Sequence, residues 1–321
     1  MLIVSPTVGS ATGNSVTASR YSRMLRSLGW NVRVRPSASD PRDADFLVAL
    51  HARKSARAIL SFRRAHPTRP ILLVLTGTDV YRDLGRRRIV ERAMEAADAI
   101  VTLQSRAIDR LAPSQRRKAF AVIQSVDSIP RAARARRRGT RFCVLAHLRV
   151  EKDPLRALFA LRLLPAALDV EVVQAGGVLD RAYLRRVEKG VRTQPRYRFL
   201  GELARSAALR LLAGSDALVL SSRMEGGANV ASEAIAAGIP VLASRIDGNV
   251  GILGARYSGY YATGSTRELA ALMQRFAEDR PFARKLQRQI AALRPLVVPQ
   301  REREGLQRAM FAAYARRNHR V

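Results

Sequence analysis

Two glutamates, Glu225 and Glu233, bracket a glycine-containing turn, and their type and spacing indicate a binding site for a polar ligand. Gly226 and Gly227 lie in the turn, and because glycine has no Cβ the backbone can approach a ligand closely there. A run of small residues follows the turn and predicts a helix. The N–H groups and the dipole of a helix N-terminus favour an anion. We therefore expect an anionic group, such as a diphosphate, to bind above this turn.

Each carboxylate is expected to bind a hydroxyl-bearing part of the same ligand. Glu233 lies about a turn and a half into the predicted helix, residues 228–237, and helical side chains lean toward the helix N-terminus. A carboxylate does not suit a phosphate, but it accepts hydrogen bonds from hydroxyl groups, such as those of a ribose or a sugar. A diphosphate on helix N–H groups with diols on two carboxylates describes a nucleotide-sugar. The alternative is an ordinary strand–helix–strand crossover with a solvated Glu233.

The elements around this turn are predicted to form one parallel strand–helix–strand unit. Apolar residues 217–220 predict a strand before the turn, and residues 241–243 predict a second strand after the helix. We expect Gly238 to end the helix in the left-handed conformation, while Pro240 prevents the helix from continuing. Parallel strands joined by a helix are typical of an open α/β sheet.

The first half of the chain has polar residues after two predicted strands. His51 and Arg53 follow the strand at residues 46–50, and residues 76–79, Thr-Gly-Thr-Asp, follow the strand at residues 71–75. Open α/β sheets bind ligands at the carboxyl ends of their strands, which favours a binding role for these residues. For His51 the alternative is a capping residue on a basic helix.

A third polar loop follows the first predicted strand, residues 2–4. The loop covers residues 5–14 and leads into an amphipathic helix, which is predicted over residues 15–28 with Asn14 or Ser15 as its cap. The loop contains neither G-x-G-x-x-G nor a P-loop sequence. It is either a tight strand-to-helix connection or an anion or acceptor site at a helix start.

The length of 321 residues and the 47% hydrophobic content predict two α/β domains of ordinary size. We expect a first domain at residues 1–137, a second domain at residues 138–299 and a final helix at residues 300–321. Residues 130–139 are rich in arginine without apolar periodicity, and we interpret them as the interdomain linker. A nucleic-acid-binding patch is the alternative for this segment.

The formal net charge of +31 comes almost entirely from arginine. Such a charge favours polyanions and anionic membranes nonspecifically, and it also suits an enzyme whose substrates are phosphorylated. No stretch approaches the ~18 apolar residues that a membrane span needs, and the N-terminus lacks the charged start of a secretory signal. The single cysteine, Cys143, lies in an apolar run and is expected to be a buried, inert thiol. These features predict a cytoplasmic protein.

The run EGGANVASEAIAAGIPVLAS, placed after a predicted buried strand, resembles the donor-binding signature of GT-B glycosyltransferases of the family-4 kind. This resemblance implies two doubly wound Rossmann-like domains that face an interdomain cleft, with the donor on the second domain and the acceptor on the first. It also implies a final helix that crosses back to the first domain. Domain closure in such enzymes excludes water, and helix N–H groups and cations stabilise the leaving nucleotide without a divalent metal.

The same resemblance assigns roles to strand-end residues of the second domain. In this family an arginine and a lysine hold the donor diphosphate, and Lys152 matches the lysine. The arginine usually lies five residues earlier, where this sequence has His147, so either Arg149 takes that role or the diphosphate is held less strongly. Two glycine-containing strand ends, at Gly176 and Gly201, correspond to the edges that hold the nucleobase in the family.

A narrower resemblance covers nearly the whole chain. The segments GSATGN, LTGTDVYRD and HLRVEKDPLRA, together with the EGGANVASEA signature, resemble the selenosugar synthases of selenoneine biosynthesis, the SenB family. Members of that family join selenophosphate to the anomeric carbon of a UDP-sugar, typically UDP-N-acetylglucosamine or UDP-glucose. The resemblance therefore implies a transferase that forms a carbon–selenium bond and releases UDP.

These interpretations define three sets of candidate residues, with no metal ligand and no cofactor beyond the two substrates. The catalytic set is His51, Asp79 and Glu225. The donor-binding set is Arg149, Lys152, Gly176, Gly201, Glu225, Gly226, Gly227, Ala228, Asn229 and Glu233. The acceptor-binding set is Gly9, Ser10, Thr12, Gly13, Asn14, Arg53, Gly77 and Thr78.

The partners expected for such an enzyme are small phosphorylated substrates and other enzymes of selenium metabolism. Specific nucleic-acid binding and integral membrane association are not expected. Two other functions remain open at this point. One is conventional transfer from a UDP-sugar to a hydroxyl, thiol or lipid acceptor, and the other is nucleic-acid binding by a basic protein with a degenerate GT-B fold. The sequence leaves the preferred sugar and the stereochemistry open.

Overall fold

A computed structural model describes residues 1–9, 12–37, 43–129 and 138–318. The chain forms two compact units, of which the first combines Met1–Gln124 with Pro299–Val321 and the second is Ser125–Val298. The first unit thus ends before residue 130, where the predicted linker begins, and most of that linker lies outside the described residues. Each unit contains a six-stranded sheet of parallel strands.

The sheet of the first unit has the order β2-β1-β3-β4-β5-β6. Its strands are β1 (Leu2–Ser5), β2 (Arg33–Pro36), β3 (Leu47–Leu50), β4 (Ile71–Leu75), β5 (Ala99–Thr102) and β6 (Ala119–Ala121). Strands β3 and β4 are buried along their whole length, as expected for a parallel sheet covered by helices on both faces. Because β2 and β3 lie on opposite sides of β1, the loops after β1 and β3 lie where ligands bind in doubly wound sheets.

The helices of the first unit cover both faces of its sheet. They are α1 (Gly13–Ser27), α2 (Ala56–Ala65), α3 (Arg88–Ala96), the short α4 (Pro113–Arg116) and α12 (Pro299–Asn318). One face packs against α2 and α3, and the other packs against α1 and α12. In α12 the side chains of Leu306, Ala309 and Ala313 are fully buried, so the C-terminal helix belongs to the core of the first unit.

One helix prediction in the first unit is wrong in its first half. The residue pattern over residues 82–97 predicts a single helix, but the structure has a π-helical turn, Asp79–Asp83, then a break, and only then α3. Gly85 lies in the break with a φ of 72°, a left-handed conformation that favours glycine. The break leaves the turn of Asp79–Asp83 packed near the carboxyl end of β4.

The sheet of the second unit has the order β12-β11-β10-β7-β8-β9. Its strands are β7 (Thr140–Leu145), β8 (Val170–Ala175), β9 (Tyr197–Phe199), β10 (Ala217–Leu220), β11 (Val241–Ser244) and β12 (Tyr260–Tyr261). Strand β7 lies between β8 and β10, so the chain changes direction across the sheet at β7. The carboxyl ends of β7 and β10 therefore flank the point where this fold binds ligands.

The helices of the second unit include the predicted small-residue helix. They are α5 (Arg156–Leu161), α6 (Arg181–Thr193), α7 (Arg205–Ala213), α8 (Asn229–Ala237), α9 (Asp247–Leu253), α10 (Thr266–Glu278) and α11 (Arg280–Leu293). Gly238 ends α8 with a φ of 71°, which confirms the predicted left-handed cap. Cys143 is fully buried, and burial raises the pKa of its thiol to about 12, so it is the inert cysteine that was expected.

In the described ranges no helix combines the length and the apolar character that a bilayer span requires.

Candidate active site

In the second unit, Lys152 and Glu225 form a direct ion pair. Lys152 ends a short helical turn after β7, and Glu225 lies in the loop after β10, so the pairing of these neighbouring strands brings both residues together. The Lys152 ammonium donates to Glu225 Oε1 at 2.5 Å. The Ser222 hydroxyl donates to the same oxygen, also at 2.5 Å. Glu225 is only 8% exposed, so a cation and a hydroxyl fix the orientation of a nearly buried carboxylate.

Backbone contacts hold the two loops of this pair against each other. The Arg223 amide donates to the Glu151 carbonyl at 2.8 Å. The Ser221 hydroxyl contacts the carbonyls of Lys152 and Asp153, each at 3.0 Å. Asp153 has a left-handed φ of 44°, which turns the chain sharply into the helix that follows. The Lys152–Glu225 pair is therefore fixed by the backbone of both loops as well as by its own hydrogen bond.

Strand β11 and helix α9 support the Glu225 loop from the other side. A Cβ on Gly248 would lie 2.2 Å from the Glu225 carbonyl oxygen, so only glycine fits there without displacement of the loop. The Ser244 hydroxyl donates to the Ser222 carbonyl at 2.5 Å, and the Asn249 side-chain amide donates to the Ser244 carbonyl at 2.8 Å. These buried contacts connect α9 to the loop that carries Ser222 and Glu225.

The second predicted glutamate, Glu233, pairs with an arginine that sequence reasoning missed. Glu233 is the fifth residue of α8 and is 8% exposed. Arg205, the first residue of α7, places its Nη1 at 2.8 Å from Glu233 Oε1. No local pattern marks Arg205 in the sequence, because the contact joins two helices that are separated by strand β10.

The predicted turn between the two glutamates leads directly into α8. Gly226 and Gly227 precede Ala228, which occupies the N-cap position, and Asn229 is the first helical residue. Within α8, all of which is described, the first turn holds no acidic residue. The positive end of the helix dipole is therefore not offset by a carboxylate of its own first turn, which favours an anion at this position.

A second edge of this unit brings together Gly176, Gly201 and His147. A Cβ on Gly176 would lie 1.9 Å from the Ala146 carbonyl oxygen, so this position requires glycine for close packing of the strand ends. Gly201 has a φ of 68°, and its carbonyl accepts the Gly176 amide proton at 2.8 Å. The two predicted nucleobase-edge glycines thus contact each other at the carboxyl ends of β8 and β9.

His147 and Arg149 differ in how they are held. The Gly177 amide donates to His147 Nδ1 at 3.0 Å. Because a backbone N–H can only donate, Nδ1 is the acceptor, and the proton of the neutral imidazole is on Nε2. The Arg149 guanidinium, which is partly exposed, lies 3.9 Å from the Glu151 carboxylate. The position where the family usually has arginine therefore carries a fixed imidazole, with Arg149 nearby.

In the first unit, His51 and Thr78 contact each other at the ends of β3 and β4. His51 has a φ of 70°, a strained conformation for a residue with a side chain, and such strain is common at functional sites. His51 Nε2 lies 2.9 Å from the Thr78 hydroxyl oxygen. Burial lowers the pKa of His51, and the nearby Asp79 carboxylate opposes that change. The imidazole is therefore biased toward its neutral form.

The Asp79 carboxylate, a candidate catalytic group, contacts mainly the protein backbone. Its buried carboxylate, 1% exposed, accepts hydrogen bonds from three backbone amides: Ala52 at 3.0 Å, Thr76 at 3.0 Å and Gly77 at 2.7 Å. It also lies 3.8 Å from His51 Nδ1. Through these contacts Asp79 joins the loops after β3 and β4. A residue with this geometry positions its neighbours.

Arg53 lies beside these residues and pairs with an aspartate of the π-helical turn. Its Nε is 2.8 Å from Asp83 Oδ2, and Asp83 is buried while Arg53 is about one-third exposed. Gly77, with a φ of 131°, shapes the turn that carries Thr78. His51, Arg53, Gly77 and Thr78 are therefore brought together at one edge of the first sheet.

The loop after β1 supplies the remaining acceptor candidates. Gly9 is exposed with a φ of 75°, while Ser10 lies outside the described residues. Helix α1 begins at Gly13 rather than at residue 15, so the predicted cap at Asn14 or Ser15 is wrong. Thr12 occupies the N-cap position, and its hydroxyl lies 2.5 Å from that of Thr7. The contact between these hydroxyls holds the loop at the helix start.

The folds and strand-end geometries of both units define a GT-B protein, with two doubly wound parallel sheets. Residues 126–292, just over half of the chain, match the family of glycosyl transferases group 1. The protein belongs to this family.

Solved structures with the same fold cover almost the whole chain. HepE of Anabaena, in complex with UDP and glucose, superposes with a TM-score of 0.74 at 15% identity, over 97% of this chain and 99% of that one. Sucrose-phosphate synthase of Thermosynechococcus elongatus gives a TM-score of 0.79 at 17% identity, with the same coverage. These similarities confirm the predicted GT-B fold.

Proposed function

We propose that the second unit binds a UDP-sugar and that the protein transfers its sugar to a small anionic acceptor. The observation that carries this proposal is the nearly buried Glu225 carboxylate, held by Lys152 and Ser222 beside the N-terminus of α8. This arrangement offers a cation and helix N–H groups to a diphosphate, and a carboxylate to sugar hydroxyls. Membership of the glycosyl transferases group 1 family supports it, as do the structures of HepE with UDP and with UDP-glucose.

Each charged group of the second unit has a role in this proposal. Lys152 has three N–H donors, so it can keep its bond to Glu225 and still donate to the donor diphosphate. Glu225 accepts hydrogen bonds from the sugar, and Glu233 accepts them from the ribose. Negative charge that develops on the departing UDP is stabilised by Lys152 and the amides of α8. These groups stabilise the leaving group in a manner that requires no divalent metal ion.

We propose further that the acceptor is selenophosphate and that the first unit binds it. His51, Arg53 and Thr78 lie at adjacent strand ends and offer one cation and two neutral hydrogen-bonding groups. The segment LTGTDVYRD, which resembles selenosugar synthases, carries Thr78, and it also carries Asp79 and Asp83, which lie beside His51 and Arg53. Selenophosphate is a small anion that requires cations and N–H groups more than it requires a base.

The transfer step needs no reactant beyond the two substrates, and its immediate product is a sugar that still carries the phosphoryl group on selenium. Water then cleaves the Se–P bond, which releases inorganic phosphate and the free 1-selenosugar. The selenium atom of selenophosphate attacks the anomeric carbon, a C–Se bond forms, and the C–O bond to the diphosphate breaks with its electron pair leaving on UDP. No proton has to be removed from the nucleophile, because selenium is already anionic. Asp79, whose carboxylate accepts three backbone amides, then acts by positioning His51 and Thr78 rather than as a general base.

The proposal is tested by incubating the protein with selenophosphate and either UDP-N-acetylglucosamine or UDP-glucose. Mass spectrometry is expected to detect the sugar selenophosphate or the 1-selenosugar formed from it by hydrolysis, together with an equivalent amount of free UDP. A parallel reaction with the Lys152→Ala variant provides a catalytic control. If the protein binds UDP but forms no selenosugar, the assignment of the acceptor is wrong, and hydroxyl, thiol and lipid acceptors become the next candidates.

A further inference from the structure

The ion pair between Arg205 and Glu233 joins a half-exposed arginine to a nearly buried glutamate. Glu233 is nearly buried on α8, whereas the Arg205 side chain is 51% exposed at the start of α7. Helices α7 and α8 pack against each other, and the pair joins them at 2.8 Å. Pairs with one solvated partner typically contribute only about 0–1 kcal/mol to stability. The pair also bears on the orientation of the Glu233 carboxylate, because it fixes one of the two carboxylate oxygens.

An arginine can orient a carboxylate without occupying all of it. A carboxylate has two oxygens with about four acceptor positions, and the guanidinium of Arg205 contacts one oxygen, Oε1. Holding Glu233 in one rotamer reduces the conformational entropy lost when a ligand binds. Two neighbouring hydroxyls require such an oriented carboxylate, because both must donate at the same time. A single hydroxyl gains less from the orientation.

We propose that Arg205 is a positioning residue that holds Glu233 for the two neighbouring hydroxyls of a nucleotide ribose, and that it thereby makes the site selective for ribonucleotides over 2′-deoxyribonucleotides. The inference rests on the proposed function, because it assumes that Glu233 contacts the ribose of a UDP-sugar. Beyond the proposed function, Arg205 is given a role and nucleotides without the 2′-hydroxyl are expected to bind poorly. Arg205 acts through Glu233 rather than on the reacting atoms.

The test is calorimetric titration of the full-length protein with UDP and with 2′-deoxy-UDP. The wild type is expected to bind UDP about tenfold or more tightly than 2′-deoxy-UDP, because the deoxynucleotide leaves an acceptor position of Glu233 unfilled. In Arg205→Ala the dissociation constant for UDP is expected to rise about three- to tenfold, and that for 2′-deoxy-UDP less than twofold. The preference for ribose should therefore become smaller.

Three further variants sharpen the test. Arg205→Lys keeps the charge and is expected to restore part of the ribose preference. Arg210→Ala removes an exposed arginine from the same helix and is expected to leave both affinities unchanged. In a Glu233→Gln background, Arg205→Ala is expected to have little additional effect, since the two residues act through one contact.

The outcomes separate the inference from the proposed function. If Arg205→Ala weakens both nucleotides equally, the arginine acts as a general cation for the diphosphate, and the positioning role is wrong. If Arg205→Ala changes neither affinity while the wild type binds UDP, the inference alone fails. If the wild type does not bind UDP at all, the proposed function and the inference both fail.

Discussion

The two units share a six-stranded parallel sheet, but Asp79 of the first unit and the two candidate glutamates of the second unit have different kinds of hydrogen-bond partner. In the second unit each glutamate of the candidate site pairs with a side-chain cation, Glu225 with Lys152 and Glu233 with Arg205. In the first unit the carboxylate of Asp79 accepts hydrogen bonds from backbone amides. Carboxylates are thus paired with side-chain cations at the edge that we propose to bind the donor, and one carboxylate joins two loops at the other edge.

This difference indicates which ligands each edge suits. Paired glutamates with partly accessible cations can share their hydrogen bonds with both the hydroxyls and the phosphates of a ligand. The edge of the first unit exposes part of Arg53 and Thr78, while His51, which contacts Thr78, is buried; we propose that this edge binds a small anion. In this proposal, two domains of one fold differ in the ligands they bind because of a few strand-end residues.

The largest effect is expected from loss of the cation in the second unit. Lys152→Ala should lower kcat about 10²- to 10³-fold, because it removes a group that stabilises the leaving diphosphate and leaves Glu225 without its cation. UDP release measured under saturating substrate provides the readout. Lys189→Ala, on the exposed face of α6, is the matched control and should retain wild-type activity. A Lys152→Ala enzyme within twofold of the wild type would contradict the role given to this lysine.

The next effect distinguishes positioning from catalysis in the first unit. Asp79→Ala leaves three buried or part-buried backbone amides without their acceptor, so the unfolding free energy should fall by on the order of 3 kcal/mol or more. Urea denaturation measures this change, and Asp109→Ala, which removes an exposed aspartate, is the control. An Asp79→Ala protein of full stability but without activity would make Asp79 a catalytic residue instead.

A smaller effect is expected where the backbone supports Glu225. Gly248→Ala introduces a Cβ that would lie 2.2 Å from the Glu225 carbonyl oxygen, so the loop must move. Overpacking of this kind costs about 1–3 kcal/mol of folding stability, and because the displaced loop carries Glu225 we also expect a loss of affinity for the UDP-sugar. Steady-state kinetics with varied UDP-sugar would show this loss as a raised KM. An unchanged KM would mean that the Glu225 loop does not contact the donor.

The smallest expected effect is on the pH dependence of stability, to which His51 of the first unit contributes. Burial lowers the pKa of His51 in the folded protein, with Lys54 and Arg53 acting in the same direction and Asp79 and Asp83 opposing it. The unfolded chain therefore binds more protons as the pH falls below about 6.5, and stability should decrease there. The His51→Asn variant should lose this pH dependence. Asparagine tolerates the left-handed backbone that His51 has at this position. Thermal melts between pH 7 and pH 5 test the prediction, and an identical slope in both proteins would contradict it.

Much of the fold follows from sequence patterns that are local. The apolar runs of β3, β4 and β10 and the glycine cap of α8 were predictable, because burial and left-handed backbone depend on a few adjacent residues. Strands β6 and β12 have only three and two residues, too few for periodicity to be recognised. The break after Asp83 was missed because the segment around it has helical periodicity.

The glutamates and the lysine of the candidate site could be predicted from the sequence, but the side chains that orient them could not. Glu225, Glu233 and Lys152 belong to recognisable segments, whereas the contact of Arg205 with Glu233 depends on how two helices pack. A buried aspartate such as Asp79 has the same letter in the sequence whether it contacts a substrate or backbone amides. Only the structure distinguishes these two environments.

The central claim is that the acidic groups of the second unit bind a UDP-sugar, and calorimetric titration of UDP into the wild type and Glu233→Ala tests it most directly. We predict that the wild type binds UDP and that the variant loses about 1.5–3 kcal/mol of binding free energy, the range for hydrogen bonds to a charged group. A wild type that does not bind UDP, or a Glu233→Ala variant with unchanged affinity, would contradict the claim.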